Sequence, residues 1–246
     1  MNLLIDIGNS SVKLAIVDAG RIVAEQRSKQ FDWSLLAELI RVHPVEHALV
    51  CSTREKTTGI AKMLMDHGVD TLEFTASTPV PIGIDYQTPE TLGRDRVAAA
   101  VGASVCYPGR AVLIVDFGTA VTIDLLTADG VFRGGTISAG MQMRFRALHD
   151  YTARLPLCSA TEEILLLGKT TTSAIEQGVM NGLTAEVEGA ICHMQAEIDD
   201  LLIIFTGGDA NFFVKRIKNT IFANCDLVFC GLNRILEYNN SEKTHS

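Results

Sequence analysis

Two short corners in this sequence carry residues suited to binding a phosphorylated ligand. The first runs from Asp6 through Gly8 to Ser11, and the second runs from Asp116 through Gly118 to Thr119, each between two apolar runs. Glycine has no Cβ, so backbone N–H groups can approach an anion, and Ser, Thr and Asn add further donors. The pattern predicts a phosphate-binding hairpin, although the same residues are also common in ordinary β-turns.

The two acids in these corners, Asp6 and Asp116, are 116 − 6 = 110 residues apart, which suggests a duplicated hairpin. Two such corners could hold the β and γ phosphates of a nucleotide, with the acids holding a cation directly or through water. Lys13 could add positive charge, although by itself it is better explained as an exposed strand residue. A third glycine corner, Thr206-Gly207-Gly208-Asp209, follows another apolar run.

The run Gly93-Arg94-Asp95-Arg96 could carry out proton transfer. An aspartate beside an arginine at a helix start can accept a proton from an alcohol, and the arginine can orient an anionic substrate through paired hydrogen bonds. Taken alone, the run is more often a helix start with solvated charges.

Alternating strand and helix patterns predict an α/β fold that positions these residues. A seam near Pro108-Gly109 divides the chain into predicted domains 1–110 and 111–246, each opening with an Asp-x-Gly hairpin. The predicted strands are 2–7, 11–17, 47–51, 111–116, 120–126, 201–205 and 226–230, and the predicted helices are 33–42, 55–67, 93–106, 141–153, 171–198 and 210–222.

Composition indicates a globular chain of 246 residues with 47% hydrophobic content. No secretion signal or membrane-length apolar run is evident, so we expect a cytoplasmic protein without membrane contact. The formal charge of −8 argues against nucleic acid as a partner. The cysteines form no CxxC pair and are expected to be small buried residues; they are Cys51, Cys106, Cys158, Cys192, Cys225 and Cys230.

Two partial matches to other motifs fail on context. Gly168-Lys169-Thr170 lacks the glycine that a phosphate loop needs five positions earlier, where this chain has Glu163. His43-x-x-Glu46-His47 has the spacing of a zinc peptidase motif, but Pro44 would break the helix that this motif requires.

The three glycine corners together resemble those of the acetate and sugar kinase, Hsp70 and actin superfamily. The stretch YQTPETLGRDR at 86–96 narrows the resemblance to type III pantothenate kinases, and further motifs in order cover nearly the whole chain: DIGNSSVK at 6–13, DFGTAVT at 116–122, GKTTTSAIEQG at 168–178 and TGGDA at 206–210. The resemblance implies two similar ribonuclease-H-like domains, as in actin-like ATPases, facing across an ATP cleft. It also implies ATP-dependent phosphorylation of pantothenate to 4′-phosphopantothenate, the first committed step toward coenzyme A.

The resemblance also implies roles for single residues. Asp95 would be the catalytic base, and Asp116 would bind a monovalent cation such as potassium or ammonium, beside ATP with Mg²⁺. The implied ATP contacts are Asp6, Ile7, Gly8, Asn9, Ser10, Ser11, Val12, Lys13, Thr119, Gly207 and Gly208. The implied pantothenate contacts are Tyr86, Gly93, Arg94, Asp95, Arg96 and Thr171, the last with a one-residue ambiguity within Thr170-Thr171-Thr172.

Family members form dimers, so a homodimer is expected, with the helix after Gly140 taking part. This chain has Ser138-Ala139-Gly140 where relatives commonly carry Pro-Gly. The apolar residues of that helix fit a dimer interface or a buried face within the chain; they are Met141, Met143, Phe145 and Leu148.

Two other functions remain open on the same fold. One is a non-enzymatic accessory or regulatory protein, and the other is a kinase for a different small alcohol or sugar. A binding-only protein could lose the charged residues without penalty, so their presence argues against the first alternative: Asp6, Asp95, Arg96 and Asp116. Only the predicted substrate contacts, Tyr86 to Arg96 and Thr171, distinguish a pantothenate kinase from a kinase for another small alcohol or sugar.

Overall fold

The computed structural model describes residues 1–54, 57–217, 222–224 and 226–243. The chain divides into two compact units that interleave in sequence. The first unit comprises Met1–Gly109, Gly130–Arg133 and Asp226–Ser246, and the second comprises Arg110–Asp129 and Gly134–Cys225. The domain boundary between residues 110 and 111 stays a prediction, and each unit is described separately below.

The described elements alternate between strands and helices, as the sequence predicts. The strands are β1 Asn2–Ile7, β2 Val12–Asp18, β3 Arg21–Ser28, β4 His47–Ser52, β5 Asp70–Glu73, β6 Gly83–Ile84, β7 Val112–Phe117, β8 Ala120–Leu126, β9 Val131–Ala139, β10 Leu202–Thr206 and β11 Phe222–Ala223. The helices are α1 Trp33–Val42, α2 Thr58–Asp66, α3 Arg94–Cys106, α4 Met141–Asp150, α5 Thr171–Glu197, α6 Ala210–Val214 and α7 Leu227–Lys243, with a 3₁₀ helix at Pro89–Thr91.

The first unit is built on a five-stranded sheet with the order β3-β2-β1-β4-β5. β1 and β2 form an antiparallel hairpin, whereas β4 joins β1 in parallel after the α1 crossover. The side chains of β1 and β4 are almost fully buried because both strands lie in the interior of the sheet. The carboxyl ends of β1 and β4 therefore meet at one edge, where Asp6 and Cys51 are register partners.

The second unit repeats this arrangement with the strand order β11-β10-β7-β8-β9. β7 and β8 form the antiparallel hairpin, and β10 pairs with β7 in parallel, so that Thr206 lies beside Asp116. The equivalent strands thus place the second and third glycine corners side by side. This repeated strand order confirms the predicted α/β class and the duplication of the hairpin.

The prediction of a strand at 226–230 is wrong, because these residues lead into α7. The short apolar run reads equally well as a strand or as a buried helix. Gly231 lies inside α7, where a Cβ would come within 1.8 Å of the carbonyl oxygen of Ala98 on α3. Contact between α3 and α7 therefore decides the structure of this segment.

Other differences between prediction and structure are smaller. Residues 55–56 of the predicted helix 55–67 lie outside the described residues, and α2 begins at Thr58. The predicted helix 210–222 is reduced to α6, followed by residues 218–221, which are not described, and then by β11. β3 was not predicted, since its largely exposed, polar sequence gives no strand signal. Among the described residues, none of the helices combines the length and the apolar character required to cross a membrane.

Candidate active site

The first glycine corner is a tight hairpin between β1 and β2. The Gly8 N–H donates to the Ser11 carbonyl at 3.0 Å, while Ile7 and Val12 are buried in the core. Those two residues can therefore offer a ligand only backbone groups, whereas Asn9 and Ser10 are exposed. A Cβ on Gly8 would lie 3.3 Å from the Ser11 oxygen, which is tight but tolerable.

Asp6 is a buried carboxylate at the end of β1, only 8% exposed. Burial raises the pKa of Asp6 to about 6; Lys13, its register partner on β2, opposes this rise, and the negative charge of Asp95 adds to it. Electrostatic coupling thus connects the predicted phosphate hairpin to the predicted base within one unit. This is the arrangement expected where a cation and phosphates are bound next to a proton acceptor.

Cys51 belongs to the same cluster, and sequence reasoning did not assign it to the site. Burial, together with the charges of Asp6 and Asp95, raises the pKa of this thiol well above its ordinary value. Cys51 therefore remains a neutral, compact residue beside Asp6. Only the register between β1 and β4 could have revealed it.

Asp95 occupies the first turn of α3. Its Oδ1 accepts a hydrogen bond from the Arg96 N–H at 2.9 Å, which fixes the carboxylate at the helix start. A Cβ on Gly93 would lie 2.5 Å from this oxygen, so glycine is required there for the carboxylate to fold back. Asp95 is half-buried and carries a second oxygen that can receive a proton.

Arg94, a predicted substrate contact, is held by carbonyl groups of its own unit. Its guanidinium donates to the carbonyls of Leu92 (2.9 Å) and Pro89 (2.8 Å), with a longer bond to Thr75 (3.4 Å), and lies over the Phe74 ring at 5.8 Å. Arg94 therefore holds the segment before α3 against the end of β5.

Arg96 is buried between two aromatic rings. Its guanidinium carbon lies 5.9 Å from the centroid of Tyr86 and 5.6 Å from that of Phe132. These contacts place Tyr86, also a predicted substrate contact, beside the helix that carries Asp95. The structure thus brings Asp6, Asp95 and Arg96 together with Tyr86 in the first unit.

The second glycine corner surrounds Asp116 in the other unit. A Cβ on Gly207 would lie 2.3 Å from Asp116 Oδ1, and Gly207 has a φ of +91°, so both close approach and backbone conformation require glycine there. The Asp209 N–H donates to the Phe117 carbonyl at 3.1 Å. Asp116, Thr119, Gly207 and Gly208 thus belong to one compact arrangement.

Gly140 completes this arrangement and was not assigned to the site from the sequence. Its N–H donates to the Thr119 carbonyl at 3.0 Å, and a Cβ would lie 2.4 Å from the Gly118 and Thr119 oxygens. The motif departure at Ser138-Ala139 leaves this contact in place. The start of α4 is further held by Arg144, which donates to the Ala139 carbonyl at 2.7 Å and pairs with Glu186 on α5.

The apolar residues of α4 divide between the two roles considered for them. Met141 and Phe145 are buried in the second unit's core and Leu148 packs against it, so these three form an intrachain face. Met143 is 44% exposed.

The cysteines are not all buried, contrary to the expectation from the sequence. Cys51 and Cys158 are buried, whereas Cys106 and Cys192 are exposed, and Cys225 lies outside the described residues.

Thr171 is the first residue of α5 and belongs to the second unit, whereas Asp95 belongs to the first unit. The neighbouring Thr170 caps the helix, because its side chain accepts from the Ser173 N–H at 3.1 Å. Thr171 is left facing a groove of about 760 Å³ that Leu148, Leu155 and Ile175 also line. Helix capping thus favours Thr171 over Thr170 as the residue that can contact a ligand.

Comparison with solved structures assigns the fold to a broad structural class. The chain is similar to two solved structures that match over 97% of this chain and 99% of each other chain. One is a protein proposed as a Baf family transcriptional activator from Campylobacter jejuni (TM-score 0.64, 20% identity), and the other is a proposed 2-dehydro-3-deoxygalactonokinase from Sinorhizobium meliloti (TM-score 0.61, 16% identity). At such identities the likeness shows the fold alone, that of the actin-like ATPases with two ribonuclease-H-like domains.

Sequence comparison then narrows this class to one family. The family model for type III pantothenate kinase matches residues 2–193. A type III pantothenate kinase of Phocaeicola vulgatus is 43% identical over 98% of this chain and 99% of its own length, and one from Cytophaga hutchinsonii is 39% identical over 97% and 100%. The chain belongs to the type III pantothenate kinase family.

The buried carboxylate of Asp6 predicts a pH-dependent stability. Between the ordinary pKa of 3.8 and the folded value of about 6, the native state binds more protons than the unfolded state, so the free energy of unfolding falls as pH rises. Asp6→Asn should therefore raise the melting temperature of the ligand-free protein at about pH 8, by an amount worth up to about 3 kcal/mol. The gain should shrink toward about pH 4. Thermal melts across pH, with the exposed carboxylate variant Asp66→Asn as control, measure this; an equal gain at both pH values would contradict it.

The glycine corners predict a separation of stability from nucleotide binding. A Cβ would be only tight at Gly8 and Gly118, 3.3 Å from its nearest neighbour in each case. Gly8→Ala and Gly118→Ala should thus melt close to the wild type without ligand but gain less stability from ATP. Gly182→Ala, on α5 with open space around it, is the matched control that should keep the full gain. Variants that melt much earlier yet retain the whole ATP-induced shift would show that the corners are only turns.

Proposed function

We propose that this chain transfers the γ-phosphoryl group of ATP to the primary hydroxyl of pantothenate and so forms 4′-phosphopantothenate for coenzyme A synthesis. Membership of the type III pantothenate kinase family supports this activity. The single structural observation that carries it is the cluster in which Asp6, from the phosphate hairpin, and Asp95, from the substrate motif, interact electrostatically in one unit.

Asp95 would act as the general base in this reaction. Its carboxylate is already oriented by the Arg96 N–H, so the second oxygen can accept the hydroxyl proton as the phosphoryl group is transferred. Phosphoryl transfer needs mainly positioning and charge neutralisation, which fits a site made of backbone donors and a few charged side chains. Tyr86, Arg96 and Thr171 would contact pantothenate, and Gly93 would leave space for the base.

The glycine corners would bind the nucleotide. Residues 6–13 and Thr119 would bind its phosphates, and Gly207 and Gly208 would lie near the adenosine. ATP is the phosphoryl donor, and we propose that it binds with Mg²⁺. Among the described residues, none of the Asp, Glu, His and Cys side chains gather in groups of three that could hold a metal. Mg²⁺ fits nevertheless, because it takes one or two carboxylates, here Asp6, together with substrate phosphates, and it would neutralise phosphate charge.

Asp116 would hold a monovalent cation, potassium or ammonium. Its carboxylate lies against the Gly118 and Gly207 backbone, so a cation there would find a hard oxygen site made of one carboxylate and nearby carbonyls. The added positive charge would offset the clustered phosphates.

We further propose a cytoplasmic homodimer. Support for the dimer comes from large apolar side chains exposed in the second unit, including Ile137, Met143 and Leu166.

The alternative function is that of a regulatory protein without enzymatic activity, as the name of the Baf family neighbour suggests for that protein. Measuring ATP turnover in the presence of pantothenate distinguishes the kinase from such a regulatory protein. A coupled ATP-consumption assay with pantothenate, sugars and acetate also tests the substrate.

Asp95→Asn should lose roughly 10²- to 10⁴-fold in turnover, the range usual for removal of a general base. Folding should be preserved, since an asparagine Oδ1 can still accept from the Arg96 N–H. Steady-state kinetics with pantothenate, compared with the control Asp66→Asn on the exposed end of α2, provide the measurement. An unchanged rate would remove Asp95 from the mechanism.

Activity in sodium buffer should rise when potassium or ammonium is added, and Asp116→Ala should abolish that response. Magnesium is kept constant so that only the monovalent cation varies. Equal rates in all salts would contradict the proposed monovalent cation site but would not contradict the proposed kinase activity.

A further inference from the structure

Two cysteines from separate parts of the first unit lie in contact. Cys106 is the last residue of α3 and Cys230 is on α7, 124 positions later, yet their sulfur atoms are 3.4 Å apart. Cys106 is exposed and Cys230 is partly buried. Neither residue belongs to the site described above.

The contact follows from how α3 and α7 cross. A Cβ on Gly102 would lie 2.0 Å from the Leu227 carbonyl oxygen, and one on Gly231 would lie 1.8 Å from the Ala98 oxygen, so only glycines permit this approach of the two backbones. Cys106 is one helical turn beyond Gly102, and Cys230 precedes Gly231. The two thiols are therefore positioned by a rigid helix crossing rather than by a loop.

We infer that Cys106 and Cys230 are a modification site at which a low-molecular-weight disulfide converts the two thiols into an intramolecular disulfide. Bond formation requires the sulfur atoms to approach to about 2 Å, which is a small movement from contact distance. The expectation that all the cysteines are simply buried packing residues does not hold for this pair.

The exchange involves two displacement steps. The Cys106 thiolate attacks one sulfur of the small disulfide, forms a mixed disulfide and releases one thiolate. Cys230 then loses its proton, attacks the Cys106 sulfur and releases the second thiolate. The two cysteines lose two electrons and two protons in total, and the small disulfide becomes two thiols.

The surroundings of the pair indicate which thiol reacts first. Burial raises the pKa of Cys230 to about 12, and the hydrogen bond with Cys106 adds to the rise, as do the charges of Glu237 and Asp226. Cys230 thus stays protonated while the exposed Cys106 meets the reagent. Cys230 then acts as the resolving thiol because its sulfur is already in contact with that of Cys106.

The experiment treats the whole protein with oxidised glutathione, followed by alkylation, peptide mapping and mass spectrometry. Cys106 and Cys230 should appear as one cross-linked peptide pair that has lost two hydrogens, reversibly with dithiothreitol. Cys192 is exposed on α5 in the other unit and is the internal control; it should retain a glutathione adduct. The cross-linked protein should melt several degrees higher than the reduced protein, because the bond closes a long loop in the unfolded chain.

Two variants separate the steps. Cys230→Ser should trap Cys106 as a stable glutathione adduct, and Cys106→Ser, a change at an exposed position, should leave Cys230 open to alkylation. The inference is overturned if wild-type Cys106 keeps its glutathione as Cys192 does, or if it remains unmodified while Cys192 reacts. Neither result depends on kinase activity, so failure here leaves the proposed function untouched.

Discussion

Burial of the Asp6 carboxylate is the constraint on which the first unit depends. An ionised carboxylate within a sheet edge is unfavourable unless positive charge or hydrogen-bond donors compensate it. Lys13, across the hairpin, supplies part of that compensation, whereas Asp95 adds repulsion. The compensation is incomplete, since the pKa of Asp6 stays raised at about 6. A bound cation would relieve this imbalance, which is how an unfavourable term in folding becomes a favourable term in binding.

The second unit deals with its own carboxylate differently. Asp116 occupies the position equivalent to Asp6 on the matching strand, but it is only half-buried and is surrounded by glycine backbone. Gly140 and Gly207 approach the turn so closely that a side chain would collide there, whereas a Cβ on Gly118 would only be tight. The two units thus share the hairpin and its aspartate. In the first unit the aspartate is buried, whereas in the second unit closely packed glycine backbone surrounds it.

The local parts of this structure follow from the sequence because they depend on neighbouring residues. The hairpins at Asp6 and Asp116 and the first helix, 33–42, are determined by apolar periodicity, glycine and the Asp32 cap. The packing of Gly140 onto Thr119 and the place of Cys51 beside Asp6 depend on strand register and contacts distant in sequence, which no local pattern encodes. The same reason explains the wrong strand at 226–230, where the crossing with α3 decided the outcome.

The two arginines that flank Asp95 have different structural roles. In sequence they look equivalent, two cations that could each bind an anionic substrate. In the structure Arg94 is engaged by the carbonyls of Pro89 and Leu92, and Arg96 is buried between Tyr86 and Phe132. Arg94 therefore shapes the loop before α3, whereas Arg96 positions Tyr86. Asp95 lies between two anchored residues, so the orientation of its carboxylate is set by the packing on both sides of it.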